Sequence, residues 1–395
     1  MSLCVGVALG GDSVSAVVAS ADTFGSTSRR VSVPAVLVIT PRGVAVGARA
    51  AQFATSGVGA VFRDFTSRVG DPVPVMGSDG SIRLGADLVA MTIGAILRDC
   101  AAGSKIAQLA IAHPSGWGPY ERSILHSALS CTEADGVPTS LVSSPTAAIT
   151  AAVAAELIRF SETVIVADIG GDGTEVALVT GAENHVGRLA ATWRTDDLSS
   201  AGLDRALARF VIEQVRDQLP AADLPNCAKR ALVVDCRRAR EDLVQETSTV
   251  VDVRLPAWRV PVRVVRAEFE GLAREPIRAG LSAIAHLMGK AREDGTDVDA
   301  IVLTGEAART PLIAELISAQ WRTRLAIPPS PKWATASGAA NIATGRYQPR
   351  LNTPPRPAHP HVRNQPPKYL ADRRLPPRSG LKATAIPRHA MSAVR

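Results

Sequence analysis

The sequence predicts an α/β protein of two lobes on one repeated plan, and two observations carry that prediction. Val164–Val179 (V-I-V-A-D-I-G-G-D-G-T-E-V-A-L-V) reads as a β-hairpin, because apolar, β-branched flanks bracket a glycine-rich stretch that can turn the chain tightly. Cys4–Ser20 repeats the pattern: an apolar strand, the turn Gly10-Gly11-Asp12-Ser13, and a second apolar strand. Each turn suits an anion. Gly170, Gly171 and Gly173 can take positive φ and let backbone approach closely, so successive N–H groups can form a nest for phosphate oxygens. Asp168, at the end of its strand, is placed for a metal or its water, or else caps a plain glycine-rich hairpin.

Composition narrows the class. At 395 residues and 46% hydrophobic content, the chain is long and apolar enough for two or more globular domains. Its five cysteines form no C-x-x-C pair and no His-linked spacing, so neither a disulfide framework nor a zinc site is expected. A reducing cytoplasm is the expected location. No basic leader and no run of about 18 apolar residues is present, and Pro145–Ile158 reads as a buried helix. The net charge of +7 is unevenly placed. Residues 346–395 carry eleven Lys/Arg against the single Asp372, and the body before them is mildly acidic. Ten prolines share that basic segment, so it is expected to be a disordered tail.

The elements follow in order. Arg29–Thr40 reads as a strand, and Gly43–Ala51 as a strand entering a helix. Leu84–Cys100 has helical periodicity, with Leu84, Leu88, Met91 and Ala95 on one face, and Ile106–Ala112 is a buried strand. His113 and Ser115 lack a nucleophile elbow and a partner base, and read as loop residues. Pro145 is expected at the first position of a helix. After the second hairpin come a turn at Gly181–Asn184, a strand Val186–Trp193, helices from Ser199 and Cys236, strands Thr249–Val253 and Trp258–Val265, and a long helix Ala267–Met288.

Several of these segments are similar to motifs of the heat-shock seventy (DnaK-type) chaperone family, in that family's order. They are the paired hairpins, H-P-S-G-W-G-P-Y-E-R from His113, S-S-P-T-A-A from Ser143, S-S-A-G-L-D from Ser199 and C-R-R-A-R-E-D-L from Cys236. D-A-I-V-L-T-G-E-A-A-R-T-P-L-I (Asp299–Ile313) and A-T-A-S-G-A-A (Ala334–Ala340) complete the set. The resemblance covers about residues 3–345. It implies an actin-like ATPase fold, that is, duplicated ribonuclease H-like domains forming two lobes around a nucleotide cleft. Lobe I would be 1–159 with a closing helix 333–345, and lobe II would be 160–332. No peptide-binding domain is expected after them. The implied cofactor is ATP or ADP with Mg²⁺. Implied phosphate contacts are Gly10, Gly11, Asp12, Ser13, Gly170, Gly171, Asp172, Gly173 and Thr174; adenosine contacts are Gly305, Glu306, Arg309 and Arg240; metal contacts are Asp168 and Glu175.

The family's catalytic set is depleted here. Its first-loop aspartate is Ala8, its lysine Thr66, its glutamate Ser144, and its second-loop threonine Gly173, leaving Asp168 as the one catalytic candidate. Arg63 and Arg68 are candidates for the missing lysine charge, or are ordinary loop arginines. Asp12 and Asp172 add charge at matched loop positions. A bare carboxylate about 4 Å from phosphate costs on the order of 4 kcal/mol at an effective dielectric near 20. Either a divalent metal bridges them to phosphate, or they cap their own turns. The expected function is therefore a degenerate, chaperone-like ATPase acting as a binding or scaffold module. The alternatives are an active DnaK-type ATPase and, more remotely, a sugar or acetate kinase relative. A protein partner is expected at the lobes or tail. The tail suits an acidic surface such as anionic lipid, with peripheral membrane attachment; nucleic acid is not favoured, because Tyr369 is its only aromatic after Tyr347.

Overall fold

The computed structural model describes residues 2–20, 27–101, 103–181, 187–218, 224–255 and 258–347. The tail expectation beyond Tyr347, and the turn expectation beyond Gly181, fall outside the described residues. Residues 1–350 form one compact unit.

In the first half, β1 (Ser2–Leu9) and β2 (Ser13–Ser20) form the expected hairpin, paired from Leu3↔Ser20 to Leu9↔Val14. The run expected as a single strand from Arg29 is two. Proline offers no N–H to a ladder, and β3 (Thr27–Pro34) ends there, while β4 (Val36–Thr40) joins β5 (Gly43–Val46) and β6 (Ala60–Arg63) in a separate sheet. Helix α1 (Gly47–Ser56) packs on β4. A short ribbon, β7 (Val75–Met76) with β8 (Ile82–Arg83), precedes α2 (Gly85–Ala101). Leu84 lies before that helix and is exposed, whereas Leu88, Ile93 and Leu97 are buried on more than one face. Then come β9 (Lys105–His113), α3 (Pro119–Leu129), β10 (Thr139–Ser143) and α4 (Ser144–Ala154). Pro145 is the second helical residue rather than the first, and Ser143 caps the helix by accepting the Thr146 N–H at 3.3 Å.

The second half repeats the plan. It contains β11 (Val164–Ile169), β12 (Thr174–Val179), β13 (Leu189–Thr195), α5 (Ser200–Gln214) and α6 (Asn226–Asp242). The ribbon β14 (Ser248–Leu255) and β15 (Trp258–Val265) leads into the 28-residue α7 (Arg266–Glu293). β16 (Ala300–Thr304), α8 (Pro311–Gln320), β17 (Arg324–Ala326) and α9 (Ala334–Ala343) follow. The main sheets run β3-β2-β1-β9-β10 and β13-β12-β11-β16-β17. Position by position these are the same: a hairpin, a third antiparallel strand on one side, and two parallel strands on the other. This is the architecture of the actin-like ATPase fold.

Helices α4 and α9 pack against each other and link the halves. α9 lies on β1, β2 and β9, and α4 reaches β11 and β16. Their approach leaves no room for side chains at two glycines. A Cβ on Gly6 would stand 2.0 Å from the Ala340 nitrogen, and one on Gly338 1.7 Å from the Ala147 oxygen. Among the described residues no helix is long and apolar enough to cross a membrane.

Candidate functional site

The two hairpin turns close identically, with Gly10 N–H donating to Ser13 C=O and Gly170 N–H to Gly173 C=O, each at 2.9 Å. None of the turn glycines has positive φ, so left-handed backbone is not what requires them. Close approach is. A Cβ on Gly11 would meet the Asp172 carboxylate at 1.7 Å, and one on Gly171 would meet the Asp12 carboxylate at 2.1 Å. The turns therefore abut, and each aspartate lies across the glycine of the opposite turn.

In this arrangement the charges of Asp12 and Asp172 are met by arginines of the second half. Asp172 pairs with Arg194 at 3.0 Å, and Asp12 faces Arg237 at 3.7 Å. The Ser13 hydroxyl also donates to Asp12 at 3.1 Å. Burial and then Glu306 raise the Asp12 pKa, and Arg237 and Ser13 offset this only in part.

Behind the turns runs a buried charge network. Asp204 on α5 accepts Arg240 Nε at 2.6 Å and Arg237 Nε at 3.2 Å, and neither Asp204 (0%) nor Arg240 (1%) is exposed. Arg240 Nη1 donates to the Glu306 carbonyl at 3.4 Å, while its Nη2 has no partner. Gly305 adopts φ +96° with a Cβ position only 2.3 Å from the Ile169 oxygen, and this turn brings Glu306 inward. The Glu306 carboxylate takes Lys332 Nζ at 3.0 Å and Ser200 Oγ at 3.1 Å. Burial opposes its ionisation, but Lys332, Arg237 and Arg240 prevail and hold the carboxyl below its ordinary range.

Two cavities adjoin these residues. One, of about 260 Å³, is lined by Gly11, Thr66, Trp117, Asp168, Glu175 and Arg194 among others. The second, of about 360 Å³, is lined by Arg30, Arg240, Glu306, Arg309, Lys332 and Trp333 among others. A larger groove of about 910 Å³ along Val153–Glu162 contains none of the predicted site residues.

The first cavity gathers most of the predicted phosphate and metal residues, and the hydroxyls at the family's lysine and glutamate positions are engaged with backbone there. Thr66, buried, donates its hydroxyl to the Gly11 carbonyl, and Ser144 donates to the His113 carbonyl at 3.0 Å. The buried Thr174 hydroxyl donates to Leu198 at 2.7 Å, engaged with the backbone ahead of α5. Arg63 is exposed elsewhere and Arg68 pairs with Asp71 at 2.6 Å, so neither replaces the lysine. Arg194 is the arginine that enters, and nothing in W-R-T on β13 announced it. Arg237 and Lys332 were equally unpredicted. His113 is buried, stacked on Trp117 at 5.4 Å, and burial lowers its pKa.

Asp168 and Glu175 are direct cross-strand partners on β11 and β12. Burial, and then Glu175, push Asp168 up to about 6, with Thr335 Oγ1 at 3.4 Å partly offsetting them. Glu175 accepts the Ser115 N–H at 2.7 Å. Like charges opposed on a ladder are destabilising, and a proton or a cation relieves them. Mg²⁺ is commonly held by one or two carboxylates plus phosphate oxygens and water, so this pair fits such an ion. Among the described residues no group of three His, Cys, Asp or Glu converges to hold a metal.

A family model described as Hsp70 protein matches residues 94–349. The chain is 28% identical to the heat shock 70 kDa protein of Emericella nidulans over 203 residues, 51% of this chain and 31% of that protein. It is 25% identical to the chaperone protein DnaK of Mycoplasmoides gallisepticum over 162 residues, 39% of this chain and 27% of the relative. It is 27% identical to the chaperone protein HscA homolog of Bordetella petrii over 214 residues, 53% of this chain and 33% of the relative. The matched stretches thus span about a third of the length of these relatives.

Proposed function

Since this chain belongs to the Hsp70 protein family, we propose that it is a binding or scaffold module on that family's nucleotide-binding body, with a cleft held by its own charges rather than by ATP turnover. The observation that carries this reading is the reciprocal crossing of Asp12 over Gly171 and Asp172 over Gly11. Carboxylates, each with an arginine partner, stand on the backbone that would cradle phosphate. Phosphoryl transfer depends on positioned charge-stabilising groups, and Ala8, Thr66 and Ser144 stand where the family resemblance puts three of them.

Residues 1–159 with 333–345, and 160–332, are taken as two lobes. Asp168 and Glu175 would hold Mg²⁺ if ATP or ADP binds, and the ion would supply charge neutralisation at the terminal phosphates. The second reading, an active ATPase, draws on that same pair. A protein partner would engage the lobes, with segment 346–395 adding attraction to an acidic surface such as anionic lipid. That contribution should fade as salt shortens the screening length to about 8–10 Å. A cytoplasmic place, with peripheral membrane attachment through this segment, goes with the reading.

The test is calorimetric titration of ATP with and without Mg²⁺, alongside steady-state hydrolysis. Turnover is expected to stay at background. The Asp12→Ala/Asp172→Ala pair is expected to bind ATP·Mg²⁺ at least tenfold more tightly than the unmodified chain. A robust rate in the unmodified chain, abolished by Asp168→Ala, would overturn the proposal.

A further inference from the structure

The cavity beside Glu306 has a chemistry unlike that of a neutral nucleoside site. Four cations line it, Arg30, Arg240, Arg309 and Lys332, against two carboxylates, Glu241 and Glu306. Glu306 is already held by Lys332 at 3.0 Å and Ser200 at 3.1 Å. Arg240 is 1% exposed, yet one of its terminal nitrogens finds no acceptor among the described residues. Leaving a buried charged donor unpaired is costly, and such groups normally have an acceptor. Arg30 is spent partly on the Ser330 hydroxyl at 3.3 Å, while Arg309 is exposed and has no ion-pair partner among the described residues. Trp333 and Val244 supply apolar wall.

We infer that this cavity is a site for a small multivalent oxyanion, a polycarboxylate or a phosphorylated compound, and that the Glu306 carboxylate is the internal anion it displaces. Guanidinium groups bind such oxygens through paired donors in a fixed plane, and three of them line this cavity with a lysine. The volume of about 360 Å³ falls within the range of small-molecule pockets. Glu306 occupies the lysine in the resting state, so an incoming anion reaches that lysine by displacing the Glu306 carboxylate. Replacing Glu306 with a neutral isostere therefore favours the external anion. The inference rests on the proposed reading that the cleft does not turn over ATP, because a working nucleotide site would claim the same cavity for adenosine.

The experiment uses the full chain at fixed ionic strength, titrated calorimetrically with citrate, with pyrophosphate and with adenosine. At least one oxyanion is expected to bind, and the preference between citrate and pyrophosphate distinguishes a carboxylate from a phosphate ligand. Lys332→Gln and Arg309→Gln, which are not buried and should fold, are each expected to weaken binding at least fivefold. Glu306→Gln is expected to strengthen it at least fivefold. Adenosine is expected to give no heat. The inference is overturned if neither oxyanion binds, if binding ignores all three substitutions, or if adenosine binds more tightly than both anions. Failure of the non-hydrolysing reading appears separately, as ATP turnover in the assay above.

Discussion

Asp204→Ala should cost about 3–5 kcal/mol of stability, the range for removing one partner from a buried ion pair. Asp204 is fully enclosed and accepts from both Arg240 and Arg237. Truncation strands the Arg240 guanidinium, which already lacks one acceptor, away from water. For a folded body of about 350 residues, at roughly 2.1 cal/mol/K of unfolding entropy per residue, each kcal/mol moves the melting temperature by about 1.4 °C, so a drop of about 4–7 °C is expected. Joint replacement by apolar residues of similar volume, Asp204→Leu with Arg240→Met, should recover most of the loss, because no charge is then left unpaired. Chemical denaturation of the three proteins checks this. A single-variant loss below about 1 kcal/mol would show that the network carries no such weight.

Asp168→Asn should do the opposite and stabilise the protein at neutral pH. The folded-state pKa of about 6 lies above the ordinary value of 3.8, so between these values the folded protein binds more protons than the unfolded chain. The Asp168 contribution to stability is accordingly most favourable below about pH 4 and declines as pH rises through 6. Above that the full penalty persists, about 3 kcal/mol at 1.36 kcal/mol per pKa unit. Asparagine cannot ionise and escapes it. In EDTA-containing buffer the variant is expected to gain about 2–3 kcal/mol at pH 7.5 and nothing near pH 4. Equal differences at both pH values would mean that the substitution acts through packing rather than through the buried charge. If Mg²⁺ binds between Asp168 and Glu175, adding it should narrow the gap at pH 7.5, since only the unmodified pair holds the ion.

The repeated plan was legible because its signals are local. Period-two apolar flanks and paired glycines identify a hairpin wherever they occur, and both hairpins lie where the sequence puts them. Helix extents were less legible: α6 begins ten residues before Cys236, because its first turns lack a motif and their place is settled by packing on β14. α2 is buried on more than one face, so its single apolar stripe understated its core. At the site, the turn residues were visible but their partners were not. Asp12 and Asp172 announced an excess of negative charge. Which cations answer it depends on α6 and β13 being folded against the turns, and no spacing rule links Asp12 to Arg237 or Asp172 to Arg194. The turn glycines need no left-handed backbone, and Gly11 and Gly171 make room for a carboxylate from the opposite turn.

The packing of α9 on β1 also sets a timetable for synthesis. Residues 334–343 cover the face of strands formed by residues 2–9 and 105–113, and Gly6 touches Ala340. One face of the first sheet can be covered early, by α2. The other is reached early by α4 but lacks its α9 cover until the ribosome has added roughly two hundred residues beyond β10, on the order of 10–40 s at roughly 5–20 residues per second. Contacts so distant along the chain form slowly, since the intervening loop must be closed before they can help. Until then the nascent chain carries an incompletely covered apolar surface at Cys4, Ala110, Ala112 and Val142. A chain interrupted before residue 334 keeps that surface without its α9 cover for good.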